Sequence, residues 1–174
     1  MPRRNLGVAL AIPEPYGGEL QGWRERLGDV NAAAVPPHVT LLPPTGVRDE
    51  DLPAIEEHLR AVAAQGAPFR LHLRGSATFR PVSPVVFVPL VQGIAECELL
   101  EKQVRSGPLA REVAFTYHPH VTVAHELPEE VLDRAFAALT TYEAVFDVPG
   151  FTLFERGDDG VWRPVQDFPF GLTG

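Results

Sequence analysis

The same three residues occur twice in this chain, as His38-Val39-Thr40 and His120-Val121-Thr122. In a β-strand, residues i and i+2 share a face. Each triplet would therefore present an imidazole and a hydroxyl to one surface and turn its valine into the opposite layer. An unperturbed imidazole titrates at about pH 6.5 and can take or give a proton near neutrality. Two of them facing across a cleft supply what cleavage of a phosphodiester needs. One acts as base on the attacking oxygen and the other as acid on the leaving oxygen, on opposite sides of the phosphorus. The two threonine hydroxyls can donate hydrogen bonds to the non-bridging oxygens, where charge grows in the transition state. This scheme calls for no metal and no other cofactor. A shuffled chain with the same His and Thr content would hold about 0.3 His-x-Thr triplets, so one alone says little and a matched pair says more.

Other side chains near the triplets are weaker candidates. Tyr117, Arg80 and His118 are possible substrate contacts: Arg80 for a phosphate, Tyr117 for stacking on a base, His118 at the edge of the cleft. Phe79, Phe115 and Trp162 can also stack a base, although core packing explains most such aromatics. His118, His120 and His125 lie close enough in sequence to raise a metal site. No carboxylate motif accompanies them, however, and in an unbroken strand His125 points away from His120. The stripe of Arg70, His72 and Arg74 reads as solvated surface, and His58 as the edge of a helix. Cys97 lies between Glu96 and Glu98, which disfavour a thiolate. Gly157-Asp158-Asp159-Gly160 reads as a hairpin turn, not a phosphate loop, because no Lys-Ser/Thr follows.

Hydrophobic periodicity supplies the elements that must carry these residues. Leu6 to Ile12 predicts a buried strand, Gly17 to Leu27 a helix and His38 to Leu42 a strand ended by Pro43-Pro44. The acidic Asp49-Glu50-Asp51 predicts a helix start, followed by Leu52, Ile55, Leu59 and Val62 on one face. Phe69 to Phe79 reads as one strand. After Pro81 the order recurs: strand at Val85 to Leu90, helix at Ile94 to Val104 and strand at His120 to Ala124. A helix then starts at Pro128-Glu129-Glu130 with Leu132, Ala135, Phe136 and Leu139 buried, and strands follow at Ala144 to Phe154 and Val161 to Val165. The expected architecture is α+β: one two-lobed domain, 1-174, with pseudo-two-fold strand-helix-strand-helix-strand units, 1-80 and 81-174, around a central cleft. Each unit carries one triplet, and 82 positions separate the two histidines in a chain of 174 residues.

Composition narrows the function classes. A net charge of −8 and a pI near 5.2 disfavour a protein that grips long duplex nucleic acid, though a small phosphate site remains compatible with both. The mean hydropathy of −0.02 and 22% charged residues describe a globular chain without a membrane span. The N-terminal apolar run is cut by Pro13-Glu14-Pro15 and does not connect to a cleavage site. A single cysteine leaves no intramolecular disulfide and no cysteine-based zinc framework. A cytoplasmic monomer is the expectation.

The contexts Pro37-His38-Val39-Thr40-Leu41 and Tyr117-His118-Pro119-His120-Val121-Thr122-Val123-Ala124 resemble the paired His-x-Thr motifs of the 2H phosphoesterase superfamily. The likeness is to the LigT-like group of 2′-5′ RNA ligases and RNA 2′,3′-cyclic phosphodiesterases in particular. The resemblance implies a two-lobed fold with a central cleft and hydrolysis of a 2′,3′-cyclic phosphate to a 2′-phosphate. The substrate would be a small cyclic phosphate or an RNA terminus, in a role in RNA processing, with reversible 2′-5′ ligation as a further possibility. It also implies His120 as general base, His38 as general acid, and Thr40 and Thr122 on the phosphate oxygens. Pro43-Pro44 departs from the longer strand of many members. The alternative is a non-catalytic module of the same fold that holds an RNA end or nucleotide.

Overall fold

The computed structural model of the chain describes residues 3–172, and among them lie nine strands and four α-helices. The first strand, β1 (Arg3–Ala11), is buried on both faces from Leu6 to Leu10. Its large residues Leu6, Val8 and Leu10 alternate with small Gly7 and Ala9, so one face fills the core and the other admits close neighbours. Helix α1 (Tyr16–Arg26) follows, then β2 (His38–Arg48) and α2 (Leu52–Ala64). Next come β3 (Phe69–Arg74), β4 (Ala77–Thr78), β5 (Val85–Gln92), α3 (Ile94–Val104) and β6 (His120–His125). Helix α4 (Glu129–Ala138), β7 (Glu143–Val148), β8 (Gly150–Arg156) and β9 (Trp162–Pro169) complete the order. No helix among the described residues is long and apolar enough to cross a membrane.

The strands form two antiparallel sheets. One runs β2-β1-β8-β9; the other runs β4-β5-β3-β7, with β6 paired to the free side of β5. Each sheet therefore draws strands from both 1–80 and 81–174, and the last strands of each sequence unit pair with the first strands of the other. The apolar cluster is continuous across both sheets and the helices.

Three sequence expectations change. The strand that begins at His38 does not stop at Pro43-Pro44 but continues to Arg48. It is an edge strand, so the missing proline N–H groups face no neighbour, and register shifts absorb the irregularity. The expected strand over 69–79 is two: Gly75, at φ +75°, turns the chain, so that β3 and β4 pair with successive parts of β5. The expected strand over 144–154 is also two, β7 and β8, in different sheets. The chain crosses between them at Pro149-Gly150, where a Cβ on Gly150 would lie 2.3 Å from the Phe168 carbonyl oxygen. On α4, Leu132 and Ala135 are buried, as is Leu139 just beyond it, whereas Phe136 sits on the flank at 36% exposure.

The two triplet strands repeat each other in register. On β2, His38, Val39, Thr40 and Leu42 face Ala11, Leu10, Ala9 and Val8 of β1. On β6, His120, Val121, Thr122 and Ala124 face Pro89, Val88, Phe87 and Val86 of β5. Both pairings skip one residue directly after the threonine, Leu41 in one and Val123 in the other, and both skipped residues are buried. A bulge at the same place therefore bends each edge strand just past its His-x-Thr face.

Candidate active site

Each histidine is set by the proline before it. Proline at i−1 biases residue i−2 to extended backbone, which leaves the i−2 carbonyl free of sheet pairing and beside the ring. His38 Nδ1 lies 2.8 Å from the Pro36 carbonyl oxygen, and His120 Nδ1 lies 2.6 Å from the His118 carbonyl oxygen. A carbonyl only accepts, so in both rings Nδ1 carries the proton and the neutral ring keeps its lone pair on Nε2. Val39 and Val121 are fully buried, and His38, Thr40, His120 and Thr122 are half-buried, as two-residue periodicity requires.

The surroundings of the two rings differ. Trp162 covers His38, with ring centroids 4.7 Å apart. The segment before His38 is held at three successive carbonyls. Ala34 accepts from the Trp162 backbone N–H at 2.8 Å, Val35 from the Arg24 guanidinium, and Pro36 from the His38 ring. Arg24 is buried on α1, also bonded to Gln21 at 3.1 Å and ion-paired with Asp29. Sequence reasoning passed over Arg24, although an arginine four residues after Leu20 and three before Leu27 on an apolar helix face is a signal of a buried polar task. His120 packs against Phe79 and Phe87, at centroid distances of 5.1 and 5.0 Å, and His118 leans on the same two rings. The aromatics Phe79 and Trp162, expected as base-stacking or core residues, thus wall the two histidines.

Burial pushes the His38 imidazole down to about 4, reinforced by the positive charges of Arg24 and of His120, and opposed by its bond to Pro36. Burial also lowers the His120 pKa, helped by His118 and opposed by its bond to the His118 carbonyl. The influence of His120 on His38 reflects their closeness across the gap between the sheets, where β2 and β6 meet. Thr40 Oγ1 lies 3.0 Å from His38 Nε2, and on the neutral ring it is the hydroxyl that donates. Among the described residues no hydrogen bond joins Thr122 to His120 that would match the bond of Thr40 to His38.

A cleft of about 820 Å³ opens at this junction. It is lined by Thr40 to Pro43 of β2, Phe79, Val82 and Ser83 of the connection between the sequence units, Glu101 and Arg105 at the end of α3, Arg111, the segment from Val113 to His118, and His120. Tyr117 lines it too, and its hydroxyl donates to the Thr40 carbonyl at 2.6 Å, tying that segment to β2. Burial raises the Tyr117 pKa, so the phenol stays protonated as this donor requires. Arg80 is held elsewhere: its guanidinium lies 3.0 Å from Glu129 and 2.9 Å from Asp133 on α4 and 3.1 Å from the Thr78 hydroxyl. With both carboxylates on it, Arg80 is a brace between β4 and α4. His125 is half-exposed beside Glu126, and among the described residues no three His, Cys, Asp or Glu side chains converge as metal ligands. Burial drives the Cys97 thiol up to about 12, with Glu96 and Glu98 adding to it, so it stays a thiol.

Residues 12–160 match the family model described as the 2′-5′ RNA ligase superfamily. A Bacillus thuringiensis protein named "Putative phosphoesterase" is 29% identical over 170 residues, covering 95% of this chain and 96% of its own. A Halalkalibacterium halodurans protein named in the same way is 29% identical over 169 residues, covering 96% and 98%. The crystal structure of E. coli LigT complexed with 3′-AMP aligns over 98% of this chain and 100% of its own, at a TM-score of 0.71 and 23% identity. Two antiparallel sheets flanked by helices are thus an arrangement that solved structures share.

Proposed function

The chain belongs to the 2′-5′ RNA ligase superfamily, and from that premise we propose that it is a phosphoesterase hydrolysing a 2′,3′-cyclic phosphodiester, on an RNA end or a nucleotide, to a 2′-phosphate. The observation that carries the reading is the pair of histidine rings, each fixed by a carbonyl on its own Nδ1 and carried on matching edge strands that pack against each other, with Thr40 and His120 lining one cleft. The E. coli LigT structures with 3′-AMP, ATP and NADP+ lend support, since a cleft of about 820 Å³ suits ligands of that size.

In this scheme His120 Nε2 takes a proton from water as the water oxygen bonds to phosphorus. The bond from phosphorus to the 3′-oxygen breaks, and His38 Nε2–H delivers the proton that oxygen needs. His38 holds no such proton in the free protein near neutrality, because its pKa is about 4. The anionic phosphate supplies the missing stabilisation: a negative charge beside the ring favours the imidazolium and raises its pKa in the complex. Protonation of His38 releases Thr40 from Nε2, and its hydroxyl can then turn to a phosphate oxygen together with Thr122. A 5′-hydroxyl in place of water would run the same steps as 2′-5′ ligation.

The test is the fate of a 2′,3′-cyclic nucleotide with pure protein in EDTA. A 2′-phosphate product, lost in both His38→Ala and His120→Ala, is the expected result. Full turnover by either variant overturns the scheme. A second reading, a binding module, draws on the low His38 pKa, and binding by the wild type without any product would establish it.

A further inference from the structure

Of the two arginines that line the cleft, one is neutralised and one is not. Arg105 is clamped to Glu101, at 2.5 and 3.3 Å, and its other arm reaches the Arg111 carbonyl at 3.4 Å. Arg111 has no carboxylate partner among the described residues. Its guanidinium donates to the Thr45 hydroxyl at 2.5 Å, and that hydroxyl passes its own proton to the Pro43 carbonyl at 2.8 Å. One donor is thereby used to orient the group, and the remaining donors and the full charge stay available. A fixed, uncompensated guanidinium in a cleft is a receptor for an anion.

Its distance from the histidines says which anion. Thr40 and Thr45 face Ala9 and Leu6, three residues apart on β1. A strand advances about 3.4 Å per residue, so Thr45 lies about 10 Å along the strand from Thr40. One phosphate cannot touch both places. Phe115 at 80% exposure and Val82 at 85% are apolar groups that the fold leaves uncovered and that line the same cleft.

Building on the phosphoesterase reading, we infer that Arg111 binds a second, upstream phosphate of a single-stranded RNA end whose terminal phosphate sits between His38 and His120. Arg111 then selects oligonucleotides over mononucleotides, and the exposed Phe115 offers a face on which an intervening base can stack.

Titration calorimetry with 2′-AMP and with a trinucleotide ending in a 2′-phosphate tests the inference, on the wild type and on Arg111→Gln. The wild type is expected to prefer the trinucleotide by about tenfold or more, as suits one charge-assisted contact, and Arg111→Gln to bring that preference near parity. The slope of log K against log salt for the trinucleotide should shrink by about 0.7 in the variant, the signature of one lost phosphate contact. Arg111→Lys should keep the salt slope and part of the preference. A preference that survives in Arg111→Gln, or a wild type that has none while binding 2′-AMP, overturns the role of Arg111 alone. If the wild type binds neither probe, the phosphate cleft itself is refuted, and this inference with it.

Discussion

The two Pro-His-Val-Thr segments share their strand position at a sheet edge, their register, their bulge and the carbonyl that fixes each ring, yet their surroundings are opposite in kind. Opposite His38 and Thr40 stand Ala11 and Ala9, so β1 leaves room and the ring is covered from elsewhere, by Trp162 of β9. Opposite His120 and Thr122 stand Pro89 and Phe87, so β5 itself walls the ring. His38 is further locked by a bonded Thr40, three held carbonyls and a buried arginine behind them. Among the described residues no such bond joins Thr122 to His120. In the proposed scheme, two matching strand segments thus yield one histidine that must be given a proton before it can act and one that can accept a proton. The proposed division into acid and base rests on the neighbours of the two segments, not on the segments themselves.

The comparison breaks most visibly at the histidines. His38→Ala and His120→Ala should each lower kcat by about 10² to 10⁴ with little change in Tm, and the double variant should cost little more than either, because the pair works as a unit. An aryl phosphodiester whose leaving phenolate needs no proton should restore turnover in His38→Ala but not in His120→Ala. Equal rescue of both would erase the proposed difference in roles.

The threonines come next. Thr40→Val and Thr122→Val should each reduce kcat by about 10- to 100-fold, the range of a hydrogen bond to a charged group. Thr40→Val alone should also alter the pH behaviour of His38, since of the two threonines, among the described residues, Thr40 is the one bonded to its ring. In the wild type the alkaline limb of kcat should lie at higher pH than that of kcat/KM, because the bound anion raises the His38 pKa above its free value of about 4. Coincident limbs would contradict the need for the phosphate to bring the proton.

Stability offers a smaller and separate readout. Folded His38 titrates at about 4, against about 6.5 in an unfolded chain, so the unfolded state binds the extra proton between those values. Its contribution is complete above pH 6.5 and is lost as pH falls towards 4, by at most about 3 kcal/mol. Unfolding midpoints in denaturant across that window should drop more steeply for the wild type than for His38→Asn, and parallel curves would refute the burial effect. The smallest expected effect is Tyr117→Phe, which removes the bond to Thr40 and should cost about 0.5 to 1.5 kcal/mol of stability, measured by the same denaturation.

Much of the candidate site's geometry was legible in the chain because it is local. Strand periodicity puts His and Thr of a triplet on one face whatever the fold, and a proline before the histidine biases the carbonyl that will hold it. The apolar patterns that marked β1, α2 and α4 were legible for the same reason. Where the periodicity misled, a non-local partner had decided. Pro43-Pro44 could continue a strand only because β2 has no outer neighbour, and the apolar run from 144 to 154 was divided because two different sheets claimed its halves.

The amino-acid sequence by itself determined that two imidazole-hydroxyl pairs exist, each pre-formed within three residues, and that similar elements carry them. The tertiary structure alone decided that the pairs meet, since 82 positions separate the histidines and only the packing of the two antiparallel sheets brings β2 to β6. It decided as well that Arg80 braces α4 while Arg24 supports His38 and Arg111 stays free in the cleft. An arginine reaches several ångströms in any direction from its backbone, so its partner is fixed by what the fold places around it, and no spacing within the chain encodes that.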